Sequence, residues 1–511
     1  PFGPTHYSNH SHSQLDVMIV DSSNKIESFS KSSVPFAAGH CRITACYRFD
    51  NLNLTPQTIT FRNFANCDHT SLTNDLASQL NLRLPNGQMS CDNPSLPDLL
   101  PSDLISELTV FYQCIKDVLD VHAPLVTKRI KRRSIPWISS ELRERIKDRD
   151  KVFIRAKRTR NPSFLDQYRN LRRSIKLDIK SAKNRYLNDL LLQQSSPTKL
   201  WSCLRKCGLA GGASQSALSH FSPSTLNQHY VAISSSHPPC DQAALHSILS
   251  RSIPSHHQSF IFSPISHLDV LNCLNAILNK SRGLSPDHLP LSHIKHQFSV
   301  IAPYLSTFFN YSLSLGVFPS IWKSLYIIPL NKVTSPSNPS DTRPIANPPH
   351  LSKVIDSLLA RQIVAFLENN ELLHPKQCGF RRYHSTQTAL LYLLDDIRLG
   401  IDKGYVTILV LFDFSKAFDT LNHSTILSCL RDIGFQDSAL SWMHSFLSER
   451  TQSIIGLDGQ PSEPELTTSG VPQGTSLGPI LFIIVINTLF SRLQFCRDTT
   501  IIFADDTQLY L

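Results

Sequence analysis

Two adjacent carboxylates, Asp505 and Asp506, lie between the short apolar runs Thr499–Phe503 and Thr507–Leu511. Apolar runs on either side of so short a polar pair predict a β-hairpin with the acids at its tip. A third acid, Asp413, ends the apolar run Tyr405–Phe412. If that run pairs with the hairpin, three carboxylates converge on one edge of a sheet. Gathering like charges is costly unless cations neutralise them, and an all-oxygen donor set suits Mg2+. Two such ions about 3.5–4 Å apart are a device for in-line phosphoryl transfer. The chemistry expected is therefore that of nucleotides.

Two further segments could serve the same chemistry. In Leu411-Phe412-Asp413-Phe414-Ser415-Lys416-Ala417-Phe418-Asp419, a strand ends in a carboxylate and runs into a helix. Phe418, five residues past Asp413, suits the floor of a nucleotide pocket. Asp419 reads more simply as the cap of the helix that follows. Ser469-Gly470-Val471-Pro472-Gln473-Gly474 places two glycines, a proline and a long amide before a helix. It is either a helix-entry turn or a platform where backbone and Gln473 approach a base pair.

The elements that must position these residues follow from periodicity. From residue 265 onward the chain reads as densely globular. Helical patterns cover Leu268–Leu278, Ile301–Leu315, Leu351–Glu368, Thr386–Gly400, His423–Ile433, Ala439–Ser448 and Leu477–Leu489. Strands are expected at Trp322–Leu330 and Tyr405–Phe412, with a hairpin of Ser453–Ile455 and Glu465–Thr468. This is an α+β arrangement with a small antiparallel sheet bearing the acids. Upstream, strands are expected at Leu15–Val20 and Cys41–Phe49, and a helix at Leu99–Val121. A basic amphipathic stretch, Trp137–Leu192, reads as two helices broken near Asn161-Pro162, with Tyr168, Leu171, Ile175 and Ile179 on one face. Residues 195–260, rich in Ser, His and Pro, read as a linker or loosely ordered.

Composition narrows the function classes. The 511 residues are 41% hydrophobic, enough for two or more domains with real cores. Net charge is +10, but Lys128–Arg185 alone holds 21 Lys and Arg against 6 Asp and Glu. So basic a block is the footprint of a polyanion binder. The 12 cysteines include no CxxC pair and no His partner at zinc-finger spacing, which points to reduced thiols in an intracellular protein. The longest apolar stretch, Pro479–Phe490, is too short to span a bilayer, so no membrane role is expected. The chain starts with Pro1 rather than Met and with no signal peptide, which suggests a piece of a longer product.

Taken in order, these motifs resemble the reverse transcriptase domain of non-LTR (LINE-type) retrotransposons, most closely the jockey-related branch. FDFSKAFDTLNH resembles the first catalytic motif, SGVPQGTSLGPILF the template and nucleotide grip, and FADDTQLY the catalytic hairpin. Upstream, Trp322-Lys323, Ile328-Pro329-Leu330 with Lys332, Arg343-Pro344-Ile345, and Gln377-Cys378-Gly379-Phe380-Arg381 through His384-Ser385-Thr386 resemble the fingers motifs. The resemblance implies a right-hand fingers and palm over 261–511, in which Asp413 and Asp505 hold two Mg2+ ions, with Mn2+ able to substitute, and Asp506 supports the site. Phe418 would exclude a 2′-hydroxyl, Gln473 and Gly474 would grip template and nucleotide, and Lys332, Arg343 and Arg381 would meet triphosphate or template. The partners implied are an RNA template, a DNA primer or target and dNTPs, in cytoplasm and nucleus.

A fainter resemblance concerns residues 1–50, where Leu15–Val20 and Gly39-His40 resemble the last motifs of an apurinic-type endonuclease. Asp16 and His40 occupy the places of an Asp that orients a His, although the family often has an acid where Gly39 stands. A β-rich remnant of that domain is expected, with His40 a relic. Residues 51–260 would then link it to the polymerase, their basic helical segment over 128–206 binding nucleic acid. Trp137, Tyr168, Tyr186 and Trp201, interleaved with the cations, would suit single strands or structured RNA. Family members continue beyond the catalytic hairpin into more palm and a thumb. The alternative to an RNA-directed DNA polymerase is thus a catalytically silent remnant that only binds nucleic acid.

Overall fold

The computed structural model describes residues 6–7, 12–13, 26–33, 41–47, 57–85, 100–130, 137–192, 216–253, 258–278, 283–493 and 499–510. The chain divides into two compact units, residues 1–61 with 126–188 and residues 62–125 with 189–511.

In the first unit, Ile26–Ser33 and Cys41–Tyr47 form an antiparallel pair with Ser30 opposite Thr44. The second of these is the strand expected over 41–49, while Leu15–Val20, Asp16 and His40 lie outside the described residues. The basic stretch forms the two expected helices, Ser140–Thr159 and Pro162–Leu192. Ser139 caps the first by accepting from Leu142 N at 3.2 Å. Arg160 ends it in the left-handed region, at φ 51°, just ahead of Pro162. Trp137 meets Tyr186, Arg145 meets Asp178 and Phe153 meets Tyr168, so the helices run antiparallel. Ile175 is buried and Tyr168, Leu171 and Ile179 half-buried, which is the expected stripe.

In the second unit, described parts of the segment read as linker are folded. Leu72, Leu76 and Leu80 of the helix His69–Arg83 join Leu104, Leu108 and Phe111 of the helix Pro101–His122 in the main core. Three leucines four apart form a complete helical stripe, but Thr, Asn, Ser and Gln around them make the segment read as polar. Residues 216–253 are likewise folded, with helices Pro223–Ser234 and Gln242–Leu249. Ser222 caps the former, with Pro223 in its first turn.

The remaining elements carry the site and are labelled from here. Strands β1 (Ser324–Asn331) and β2 (Thr342–Asn347) pair antiparallel, with Leu330 opposite Arg343. Helices α1 (Ser352–Asn369) and α2 (Thr386–Asp402) lead to β3 (Leu409–Asp413), then α3 (His423–Asp432) and α4 (Asp437–Leu447). Next come β4 (Arg450–Ser453), β5 (Glu465–Thr467), α5 (Leu477–Arg492) and the terminal pair β6 (Thr500–Phe503) and β7 (Asp506–Tyr510). One sheet is mixed, in the order β5-β4-β1-β2, with β4 parallel to β1. The other is antiparallel, in the order β6-β7-β3.

Helix α5 is apolar on nearly every side because it runs through the core, where Leu477, Leu481 and Ile483 are buried. Asp356 of α1 holds its start, accepting from Ser476 N at 2.5 Å and Leu477 N at 3.1 Å. Burial raises the Asp356 carboxyl to about 6 and lowers the Arg450 guanidinium to about 10, each counteracted by the other's charge. Strand β3 is shorter than the run that predicted it, and as an edge strand it leaves Leu411 67% exposed. No described helix is long and apolar enough to cross a membrane.

Candidate active site

Strand register brings two of the acids together. Asp506 pairs with Phe503 across the terminal hairpin and with Asp413 across the β7-β3 ladder. Directly opposed residues of an antiparallel pair put their side chains on the same face, and like charges so placed are destabilising. Asp505 occupies the connecting turn, next to Ala504, which adopts φ 58°. A non-glycine residue there costs about 1–2 kcal/mol, so packing must hold the turn. That packing comes from the segment around Gly379. Cys378 N donates to Ile502 O at 2.8 Å and Ile502 N to Lys376 O at 3.1 Å, which lays this segment beside β6. A Cβ on Gly379 would stand 2.0 Å from Ala504 N. Only glycine permits this approach.

The far end of the hairpin is tied down as well. Lys376 Nζ donates to Asp396 of α2 at 2.7 Å and to the Tyr510 hydroxyl at 2.6 Å, and that hydroxyl also bonds Asp396. Ile501 and Tyr510 pack with Ala389 and Leu393 of α2.

Phe418 is half-buried and rigid. It stacks on Phe482 of α5 with centroids 4.6 Å apart and meets Phe380 edge-on at 5.9 Å. The 469–474 loop is stitched to the turn that follows β3. Gly470 N donates to Leu421 O at 2.7 Å and Val471 N to Phe418 O at 2.8 Å. His423 Nε2 lies 2.8 Å from Gly470 O, and burial lowers this imidazole to about 4, so it is neutral and donates. On the other side Ala346 N of β2 donates to Gln473 O at 2.6 Å. A Cβ on Gly474 would stand 2.6 Å from Ala346 O. The loop is therefore clamped between the β3 turn and β2.

The three cations expected here divide. Lys332 and Arg343 are exposed, with Lys332 Nζ donating to Ser340 O at 2.9 Å. The charges of Lys416 and Lys332 both pull the Asp419 carboxyl down against its burial. Arg381 instead is consumed inside the fold. Its guanidinium grips Glu368 at 2.9 and 2.6 Å and donates to His374 O and Gln377 O at 2.9 and 3.1 Å, leaving its side chain 10% exposed. The geometry gives no support to the expectation that it meets triphosphate or template, because four of its five N–H donors are already in use. Its position explains the sequence signal differently: Arg381 shapes the loop that props the catalytic turn.

Sequence reasoning misses Lys416 and Asp356. Lys416 lies inside the FDFSKAFD motif and could have been found there, whereas Asp356 is one acid in an ordinary amphipathic helix. The cap expected of Asp419 is corrected, since Asn422 caps α3 by accepting from Ser424 N at 2.8 Å.

The donor set of Asp413, Asp505 and Asp506 is all carboxylate oxygen, the chemistry a hard divalent cation prefers. Among the described residues, no group of three or more His, Cys, Asp and Glu is drawn together tightly enough to form a metal cage. The three acids match Mg2+ by donor type, and register sets two of them, Asp413 and Asp506, opposite each other.

Residues 331–511 match the family described as reverse transcriptase (RNA-dependent DNA polymerase). The chain is 29% identical over 180 residues to the RNA-directed DNA polymerase from mobile element jockey of Drosophila melanogaster, covering 35% of this chain and 19% of that protein. It is 30% identical over 187 residues to the retrovirus-related Pol polyprotein from type-1 retrotransposable element R2 of Popillia japonica, covering 37% and 26%. It is 26% identical over 270 residues to the "Probable RNA-directed DNA polymerase from transposon BS" of Drosophila melanogaster, covering 52% and 28%. The chain thus spans less than a third of the length of each of these relatives. Over residues 331–511 this chain carries a reverse transcriptase domain, related to the RNA-directed DNA polymerases of non-LTR retrotransposons.

Proposed function

We propose that the domain extends a DNA primer on an RNA template, with Asp413, Asp505 and Asp506 as its metal-binding carboxylates. The observation that carries this reading is the register that sets Asp506 opposite Asp413 beside Asp505 in the turn. Bound there, divalent ions would supply the charge stabilisation that phosphoryl transfer demands. Asp413 and Asp505 would hold those ions, and Asp506 would support the same site with a less direct part in binding them. Exposed Lys332, Arg343 and Lys416 attract the triphosphate electrostatically. Phe418, fixed by Phe482 and Phe380, excludes a 2′-hydroxyl by bulk, so the product is DNA. Gln473 and Gly474 present the platform to the nascent base pair. In this reading 261–511 provide fingers and part of a palm, and the polymerase serves a retrotransposon copying its RNA onto a target-derived DNA primer.

The helical hairpin 140–192 is proposed to hold nucleic acid through phosphates. Its aromatics favour this over base stacking, because Trp137 with Tyr186 and Phe153 with Tyr168 are occupied with each other. Mg2+-dependent extension of a DNA primer annealed to RNA tests the polymerase reading. Tight nucleic-acid binding without any extension would favour the silent-binder alternative.

A further inference from the structure

Asp419 is the acid of the β3 turn that neither metal chemistry nor helix capping accounts for. It is half-buried, and its own N–H donates to Lys416 O at 2.9 Å, which closes the turn. The Gln473 side-chain nitrogen donates to both of its carboxylate oxygens, at 3.1 and 3.2 Å. The backbones behind the two side chains are locked together: a Cβ on Gly470 would stand 2.5 Å from Asp419 O. With Gln473 O held by Ala346 N, the backbone that carries the amide is fixed from the β2 side as well.

A carboxylate can only accept, so it forces the amide nitrogen toward itself. The amide oxygen must then point the other way, and it has no hydrogen-bond partner among the described residues. Burial raises the Asp419 carboxyl to about 6, against the pull of the Gln473 hydrogen bond and the charges of Lys416 and Lys332. The acid is thus ionised at neutral pH, when it acts purely as an acceptor.

We propose that Asp419 is a positioning residue that fixes the Gln473 amide with its oxygen outward, as an acceptor for a hydrogen-bond donor of the incoming nucleotide. This rests on the reading of the site as a polymerase. An amide oriented in advance binds without first being ordered, which lowers the KM for dNTP rather than raising kcat.

Exchanging the two chemistries gives the test. In Asp419→Asn, two amides face each other and either orientation is allowed, so the outward acceptor is lost part of the time. In Gln473→Glu, two carboxylates repel. Each is expected to raise the KM for dNTP about fivefold or more, with kcat within about twofold. Combining Asp419→Asn with Gln473→Glu restores a donor facing an acceptor, with the roles exchanged. The new amide nitrogen donates to the new carboxylate, which again turns its second oxygen outward. This double variant is expected to return the KM to within about threefold of the parent chain. A merely structural role would instead lower kcat and stability in the single variants rather than raise KM alone. Affinity for a fluorescent dNTP with Mg2+, measured on the same proteins, gives the same comparison without turnover. Singles with unchanged KM and affinity, or a double no better than the worse single, would overturn the proposal. Failure of the parent chain both to bind dNTP and to extend a primer would instead overturn the polymerase reading, and this inference with it.

Discussion

Arg381→Lys separates a residue that builds the site from one that touches substrate. The guanidinium makes two bonds to Glu368 and two to backbone carbonyls, with its side chain 10% exposed. An ammonium cannot reproduce a planar fork aimed at four acceptors. At least two of those bonds should be lost, at about 1–1.5 kcal/mol net each, since the Glu368 side chain is 33% exposed and partly screened. The expected loss is about 2–3 kcal/mol, read as a lower urea midpoint by fluorescence of the buried Trp322 and Trp442. Arg381 lowers the pKa of Glu368 chiefly through the hydrogen bond between them. A depressed acid contributes stability above its unfolded pKa and loses it as pH falls through the folded one. The gap between parent and variant should therefore narrow at pH values below the usual glutamate range. Primer extension should slow as the Gly379 segment loosens, while the KM for dNTP stays near that of the parent. Unchanged stability with a large rise in KM would refute this account and restore a triphosphate contact.

Further substitutions probe the other supports. Gly379→Ala forces a methyl onto Ala504 backbone and should cost about 1–3 kcal/mol with near-complete loss of extension; normal extension would show that the turn is not held there. Phe418→Ala should relax exclusion of ribonucleotides by at least about tenfold in the ratio of kcat/KM for dNTP over rNTP, and no change would remove its gating role. Replacing the exposed Lys157, Arg158, Arg160, Arg172, Arg173 and Lys176 with Gln should flatten the salt dependence of nucleic-acid binding, its logarithmic slope falling by about 0.9 for each phosphate no longer neutralised. Tyr168→Leu in the same hairpin should leave single-strand affinity almost unchanged, whereas a large loss would mean that bases stack on it.

The acidic hairpin was legible because period-2 apolar runs and a two-residue turn are local signals, and register then brought Asp413 to Asp506. The helical hairpin was legible for the same reason, from one apolar stripe and a Pro break. Tertiary partners were not. The sequence marks Arg381 as a cation in a motif, but only the fold supplies Glu368 and two carbonyls for it. Asp419 stands where a cap belongs, yet Asn422 wins that role and a loop 54 residues later claims the carboxylate. The helix His69–Arg83 hid because three leucines suffice for a stripe when a neighbouring helix covers them.

The central claim is that Asp413, Asp505 and Asp506 form a polymerase site. The direct measurement is addition of a single dNTP to a DNA primer on an RNA template in Mg2+, comparing the chain with Asp505→Asn. The account predicts template-matched addition by the parent chain and a loss of about a thousandfold or more in the variant. Addition that survives Asp505→Asn at the parental rate would contradict it.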